Sequence, residues 1–282
     1  MSDCFYIGTR ERLFEMRAPS VSMPSSKASF NNELAFTNGG ISVRRSVAAH
    51  KRYEMNWSSV DRDQARIVLD LADGIHGPGL IYWHDPFAAD RNVLPQQFAS
   101  PFQGSLDGVV LTPGSRPQRI TTPTNSLNFP TFSARYNVDN PNTKRVWVPI
   151  PPGYSAHIGV FGQPGTGGQM LAIPTFPDGS FVQPVEMPLM FLSDDSRANF
   201  EVKFSDGYNG VFLRLGGLGV ITISGVMVQV LREGKTPERG GFISGQGQSG
   251  SRFVEQPAYV PFSAALDRVS VVASFAETGL WE

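Results

Sequence analysis

Cysteine is almost missing from this chain. Cys4 is the one thiol in 282 residues, which excludes an intramolecular disulfide framework and any multi-cysteine zinc or iron–sulfur site. Charge is also scarce, at 17% of residues, and it is balanced: 24 basic against 25 acidic side chains leave a net charge of −1. No strong field therefore steers the chain to nucleic acid or to an anionic membrane. No apolar run approaches the ~18 residues that span a bilayer. Met1-Ser2-Asp3-Cys4 lacks the basic stretch and apolar run of a secretory signal. The expectation is synthesis in the cytoplasm, with exit only by lysis or within a larger particle.

Glycine and proline are abundant. The 29 Gly and 22 Pro make up roughly 18% of the chain, against a usual ~12%. With so few charges, this points to many short strands and turns and away from helical bundles and coiled coils. The 40% apolar content argues against disorder, and the length suffices for a sizeable core.

The first hundred residues and the rest read differently. Ile41 to Val47 is short and partly alternating. Lys51 to Trp57 alternates cleanly, with Tyr53, Met55 and Trp57 on one face, as in a half-buried strand. A helix is expected over about 59–73, capped by Ser58 or Ser59 and ended at Gly74. Leu80-Ile81-Tyr82-Trp83 is a further strand, stopped by Asp85-Pro86. The stretch from Gln103 to Asn128 is poor in apolar residues and reads as a linker or long loop. From about residue 129 strand follows strand, separated by turns such as Pro151-Pro152-Gly153, Pro177-Asp178-Gly179 and Asn209-Gly210. Regular strands with no helix between them predict an antiparallel sandwich, jelly-roll-like or galactose-binding-like. The expected organisation is a unit over 1–102, a linker over 103–128 and a sandwich over 129–282.

Candidate chemistry is thin. His50, His76, His84 and His157 have no zincin spacing, and His84 and Asp85 point to opposite faces if both lie on a strand. The loop Gly162 to Gln169 lacks the Lys-Ser or Lys-Thr of a P-loop and reads as a hairpin loop. Ser249 does not fit G-x-S-x-G, and the tract 240–251 reads as a flexible loop. Asp194, Asp195 and Asp206 are turn aspartates before they are calcium ligands. Glu186, Asp194, Asp195 and Glu201 could furnish a glycosidase carboxylate pair, but no motif supports one. Catalytic residues, metal and cofactor are therefore expected to be none. Trp147, Tyr154 and Tyr208 are the sandwich aromatics to test for contact with a glycan, against the ordinary expectation that such rings are core.

Two stretches carry a family resemblance. One runs from Ile41 through the helix to Leu80-Ile81-Tyr82-Trp83-His84-Asp85-Pro86, Asn92-Val93-Leu94-Pro95 and Ala99-Ser100-Pro101. The other runs from Trp147-Val148-Pro149-Ile150-Pro151-Pro152-Gly153-Tyr154 to Glu277-Thr278-Gly279-Leu280-Trp281. Together they resemble distal tail proteins and related minor tail proteins of long-tailed siphophages, particularly those infecting actinobacteria. The resemblance implies a mainly β chain: an N-terminal β-sandwich-like belt domain with one flanking helix, and a galectin-like or carbohydrate-binding-like jelly roll. It implies a homohexameric ring at the phage tail tip, joining the tail tube protein to the tail hub and scaffolding receptor-binding and other minor tail proteins. Lys51, Tyr53, Met55 and Trp57 are then the candidate ring interface, with an arm over 18–40 that orders only against a partner. The alternative reading is a glycan-binding module that contacts the host cell wall.

Overall fold

The computed structural model describes residues 4–22, 31–37, 40–46, 52–77, 79–95, 99, 118–119, 132–137, 146–162, 168–180, 185–188, 197–217, 220–237, 243, 245–248, 250–263 and 267–277. In chain order the first strands are β1 (Phe5–Gly8), β2 (Leu13–Met16), β3 (Ser20–Ser22), β4 (Asn31–Thr37), β5 (Gly40–Ser46) and β6 (Arg52–Asp61). Helix α1 (Arg62–Ala72), β7 (Tyr82–His84) and the single turn α2 (Pro86–Ala89) follow. Next come β8 (Gln118–Arg119), β9 (Phe132–Asn137), β10 (Val146–Pro149), β11 (Tyr154–Gly162), β12 (Gly168–Thr175) and β13 (Val185–Pro188). The last are β14 (Arg197–Lys203), β15 (Gly210–Gly217), β16 (Val220–Arg232), β17 (Ser251–Phe253), β18 (Ala258–Ser263) and β19 (Arg268–Glu277). The chain is mainly β with one helix of more than a single turn among the described residues, as its composition predicts.

It divides into two compact units, and the division differs from the expected one. One unit draws on Met1–Met16 and His76–Ser249, the other on Arg17–Ile75 and Gly250–Leu280. The helix-bearing unit is discontinuous because β19, near the end of the chain, pairs antiparallel with β6 from Arg268↔Asp61 to Ala276↔Arg52. Backbone hydrogen bonding does not read sequence distance, so no local pattern marks this partnership.

In that unit the sheet order is β17-β19-β6-β3, with β18 also on β19. Alternate residues of β19, Val269, Val271, Ala273 and Phe275, are buried with Met55, Trp57 and Val60 of β6. Helix α1 lies on these two strands and buries Ala65, Val68 and Leu71. Its cap is Asp61, whose side chain accepts from the Gln64 N–H at 2.8 Å. The expected Ser58 and Ser59 sit instead at a break in register, where the partners step from Val60↔Val269 to Trp57↔Val271. Ser59 there has a φ of 59°, the left-handed geometry of a bulge residue. The strand thus runs four residues past Trp57, to Asp61, before the helix starts. The stretch 18–40, expected to order only against a partner, contains β3, which pairs with β6, and β4, which pairs with β5. The β4–β5 hairpin forms a two-stranded sheet of its own.

The other unit is a jelly roll with a small added sheet. One of its sheets has the order β10-β15-β12-β13 and the other β14-β11-β16-β9-β8. Four antiparallel pairings nest inside one another: β9 with β16, β10 with β15, β11 with β14 and β12 with β13. This nesting over two sheets is the double Greek key of a jelly roll. Val146, Val148, Ala172, Val211 and Leu213 of the first sheet meet Ala156, Ile158, Val160, Val226, Val228 and Val230 of the second in one core. Each buried Val, Leu or Ile among them contributes about 1.5–3 kcal/mol. Because β11 and β12 lie in different sheets, they do not form the expected hairpin; residues 163–167 lie outside the described ones.

The additional sheet, β2-β1-β7, belongs to this same unit. Leu80 and Tyr82 cluster with Trp147, Ile173 and Phe212, which stand in the opposite phase to the core residues of their strands. The β10-β15-β12 sheet is therefore covered on both faces. A second attachment runs through Asn92, which is fully buried. Its Oδ1 accepts from the N–H groups of Leu94 and Val228, and its Nδ2 donates to the carbonyls of Val226 and Ile243. The N–H groups of Gln246 and Gly247 donate to Asn92 O and Leu94 O at 2.9 and 3.1 Å. These residues of the glycine-rich tract, expected to form a flexible loop, are thus tied along the edge of the sandwich. Of the expected linker over 103–128, only β8 is described, and it pairs with β9.

Candidate functional site

Among the described residues, the outer face of β11 and β14 carries a groove. Inward residues on these strands are Ala156, Ile158, Val160 and Val202. Alternation turns His157, Asn199, Glu201 and Lys203 the other way. Antiparallel register sets His157 opposite Glu201, Ser155 opposite Lys203 and Gly159 opposite Asn199. The turn after β16 forms a wall. It is shaped by Gly234 at φ 88° and held by Glu233 N donating to Gly153 O at 2.9 Å. Glu233 Oε1 accepts from the Ser205 N–H at 2.8 Å, which ties the wall to the short helical turn Phe204–Asp206. Floor and wall enclose a groove of about 480 Å³.

Its electrostatics are mixed. Glu201 lies 4.0 Å from His157 Nε2 through one oxygen and 3.7 Å from Lys203 Nζ through the other. Burial holds the His157 imidazole below its ordinary pKa, with Glu201 pulling the other way and Lys203 adding to the depression. Ser155 Oγ is 3.2 Å from His157 Nε2. Serine and glutamate both approach that same ring nitrogen. A hydrolase triad needs its carboxylate on the opposite nitrogen, and Ser155 is fully buried. Among the described residues no group of three or more His, Cys, Asp or Glu side chains could hold a metal ion; Asp194 and Asp195 lie outside them.

The aromatic residues singled out in the sequence are elsewhere. Trp147 is buried and donates from Nε1 to Thr175 Oγ1 at 3.1 Å. Thr175 in turn donates to Asn209 Oδ1 at 3.0 Å. Tyr154 is buried between the rings of Tyr6 and His84, with centroids 6.1 and 4.8 Å away, and carries the Arg232 guanidinium over its face. Neither offers a face to a ligand: Trp147 is covered by Tyr82 of the added sheet, and Tyr154, in the inward phase of β11, packs against Tyr6 and His84 of the same sheet. Tyr208 is half-buried against Phe176, at a centroid distance of 5.2 Å, and does not line the groove.

The candidate ring residues are likewise internal to their own unit. Met55 and Trp57 are buried, and Trp57 Nε1 donates to Arg17 O at 3.0 Å. Tyr53 donates its hydroxyl to Glu277 Oε1 at 3.0 Å. Lys51 lies outside the described residues. Of the groove residues, the sequence singled out Glu201, as a possible glycosidase carboxylate, and His157, as a histidine without a partner; Asn199, Lys203, Glu233 and Lys235 it did not.

No family model matches the chain, and no curated protein matches it. Among solved structures it is similar to a carbohydrate-binding module of the β-sandwich superfamily, at 10% identity over 82% of this chain and 85% of that one, with a TM-score of 0.23. It is also similar to the VP2 subviral particle protein of infectious bursal disease virus, at 13% identity over 86% of this chain and 62% of that one, with a TM-score of 0.25. The T13 viral particle of the same virus gives 11% identity, 86% and 60% coverage and a TM-score of 0.24. The chain thus spans about three fifths of the capsid chains it matches. At such TM-scores these likenesses carry no argument about function.

Proposed function

We propose that this chain is a structural, non-enzymatic component of a siphophage tail tip, of the distal tail or minor tail kind, acting in the virion as a ring of identical subunits. One observation carries the reading: the β4–β5 hairpin is paired only with itself among the described residues. A two-stranded hairpin alone is marginal in water. Its register pairs Leu34 with Val43 and Phe36 with Ile41. Such a ribbon gains from an apolar surface to lie on, and a neighbouring subunit in a closed head-to-tail ring supplies one. The few charged residues of the whole chain suit a protein that buries surface against neighbours, and the resemblance over Ile41–Pro101 points the same way. In this reading the hairpin replaces Lys51 and the β6 residues as the ring contact. The tube protein, hub and other minor tail proteins are its partners.

Light scattering with negative-stain imaging of the purified chain tests it. Annular particles with a mass near six times 30.8 kDa are expected. Replacing residues 31–46 by a short Gly-Ser turn is expected to return a folded monomer. A wild-type chain that stays monomeric at every concentration, or a ring that survives the replacement, overturns the proposal.

A further inference from the structure

The groove on β11 and β14 has a chemical character that selects among ligands. Its charged side chains are two carboxylates, Glu201 and Glu233, and two ammonium groups, Lys203 and Lys235, around His157 and the amide of Asn199. The formal charges of the four cancel. An anion placed here meets Glu201 and Glu233 at close range, and a cation meets the lysines. An apolar ligand would desolvate all four charges with no compensating bonds. A hydroxyl group suits every one of these partners: it donates to a carboxylate and accepts from an ammonium or an amide. A chain of hydroxyls spaced along a groove uses the alternation of donors and acceptors that the antiparallel register sets out. The volume, about 480 Å³, falls within the range of small-molecule sites and exceeds what a lone ion needs.

We infer that this groove binds a neutral, polyhydroxylated ligand, a short oligosaccharide, with Asn199, Glu201 and Lys203 on its floor and Lys235 on its wall. Phe200 lines the groove but packs its ring against the sandwich core. The site works by hydrogen bonds and does not depend on stacking a sugar on an aromatic face. The inference goes beyond the tail-tip reading and is independent of it. A monomer that binds the oligosaccharide sustains the inference and not the ring; a ring that binds none does the reverse.

The test is a titration of the full chain, followed by amide chemical shifts. The probes are neutral cello-, malto-, galacto-, arabino- and chito-oligosaccharides, with oligogalacturonate as the anionic control. At least one neutral probe is expected to saturate, with shifts centred on residues 197–203 and 233–237. Asn199→Ala combined with Glu201→Ala is expected to weaken binding about tenfold or more, the loss that goes with hydrogen bonds to a charged group. Both residues are exposed, so the unfolding midpoint should stay near wild type. Should that variant fail to fold, the wild-type shift map decides alone. The inference is overturned if no neutral probe saturates, if the shifts centre elsewhere, if the folded double variant binds as wild type, or if oligogalacturonate binds more tightly than every neutral probe.

Discussion

Gly210 packs against the indole of Trp147, so close that a Cβ added at Gly210 would overlap the Cζ2, Cε2 and Nε1 atoms of the ring. The two belong to the neighbouring strands β15 and β10, where Gly210 pairs with Pro149. This contact explains why glycine stands at the start of β15. It also explains why Trp147 is not a ligand platform. Gly210→Ala is expected to destabilise the jelly roll by about 1–3 kcal/mol, the usual cost of overpacking. Urea unfolding followed by tryptophan fluorescence measures it.

Tyr154 makes a second, opposite prediction. Its hydroxyl is buried and finds no hydrogen-bond partner among the described residues. Removing an unsatisfied buried polar group is neutral or stabilising. Tyr154→Phe should therefore leave the unfolding midpoint unchanged or raise it slightly, and should not alter oligosaccharide binding. Thermal unfolding and the titration above check the two halves.

Asn92 uses all of its amide. Two acceptances and two donations from one buried side chain join the segment before β8 to β16 and to the glycine-rich tract. In Asn92→Ala these backbone groups lose their partner, at about 1–3 kcal/mol for each one left unsatisfied. Asn92→Asp should be at least as damaging, because it removes both donors and buries a charge. Chemical denaturation of both variants tests this, together with proteolysis at 243–248, which should accelerate.

The start of α1 separates cap from bulge. Asp61→Ala is expected to cost about 1 kcal/mol through loss of the bond to Gln64 N–H, and Asp61→Asn much less. Ser58→Ala should cost nothing through capping. Ser59→Gly should be neutral or stabilising, since a non-glycine residue held in the left-handed region costs about 1–2 kcal/mol. Equilibrium unfolding of the four variants ranks them.

Alkaline pH should weaken the helix-bearing unit. Burial, then the charge of Glu277, then the hydrogen bond to it push the Tyr53 phenol above its ordinary 10.0. The folded chain holds this proton where the unfolded chain has released it. The contribution is whole below pH 10 and is lost progressively as pH rises above it. Tyr6, pushed up to about 12 by burial and Glu15, adds the same slope in the other unit. The urea midpoint should hold up to about pH 10 and fall from there towards about pH 12, and Tyr53→Phe should flatten that fall. The same variant should be less stable at neutral pH, because Glu277 is nearly buried and loses a donor.

What the sequence determined by itself was local. Alternation over Lys51–Trp57, the apolar stripe of α1, the stop at Gly74 and the turn residues between strands all follow from periods of two and 3.6 and from backbone sterics. Those rules act within a few residues, so they were legible, and they suffice for a mainly antiparallel sandwich with one helix. Partnership was decided only in three dimensions. Nothing near Tyr53 announces Phe275, and nothing near Trp147 announces Tyr82, yet these contacts determine which rings are buried. The groove shows the same division. Its polar residues were readable as the outward phase of a strand, but His157 and Glu201 meet only because β11 and β14 pair in one register, and Glu233 joins them through a turn that closes after β16. A side chain's face is written in its own strand; what lies across from it is set by the competition of all strands for one core.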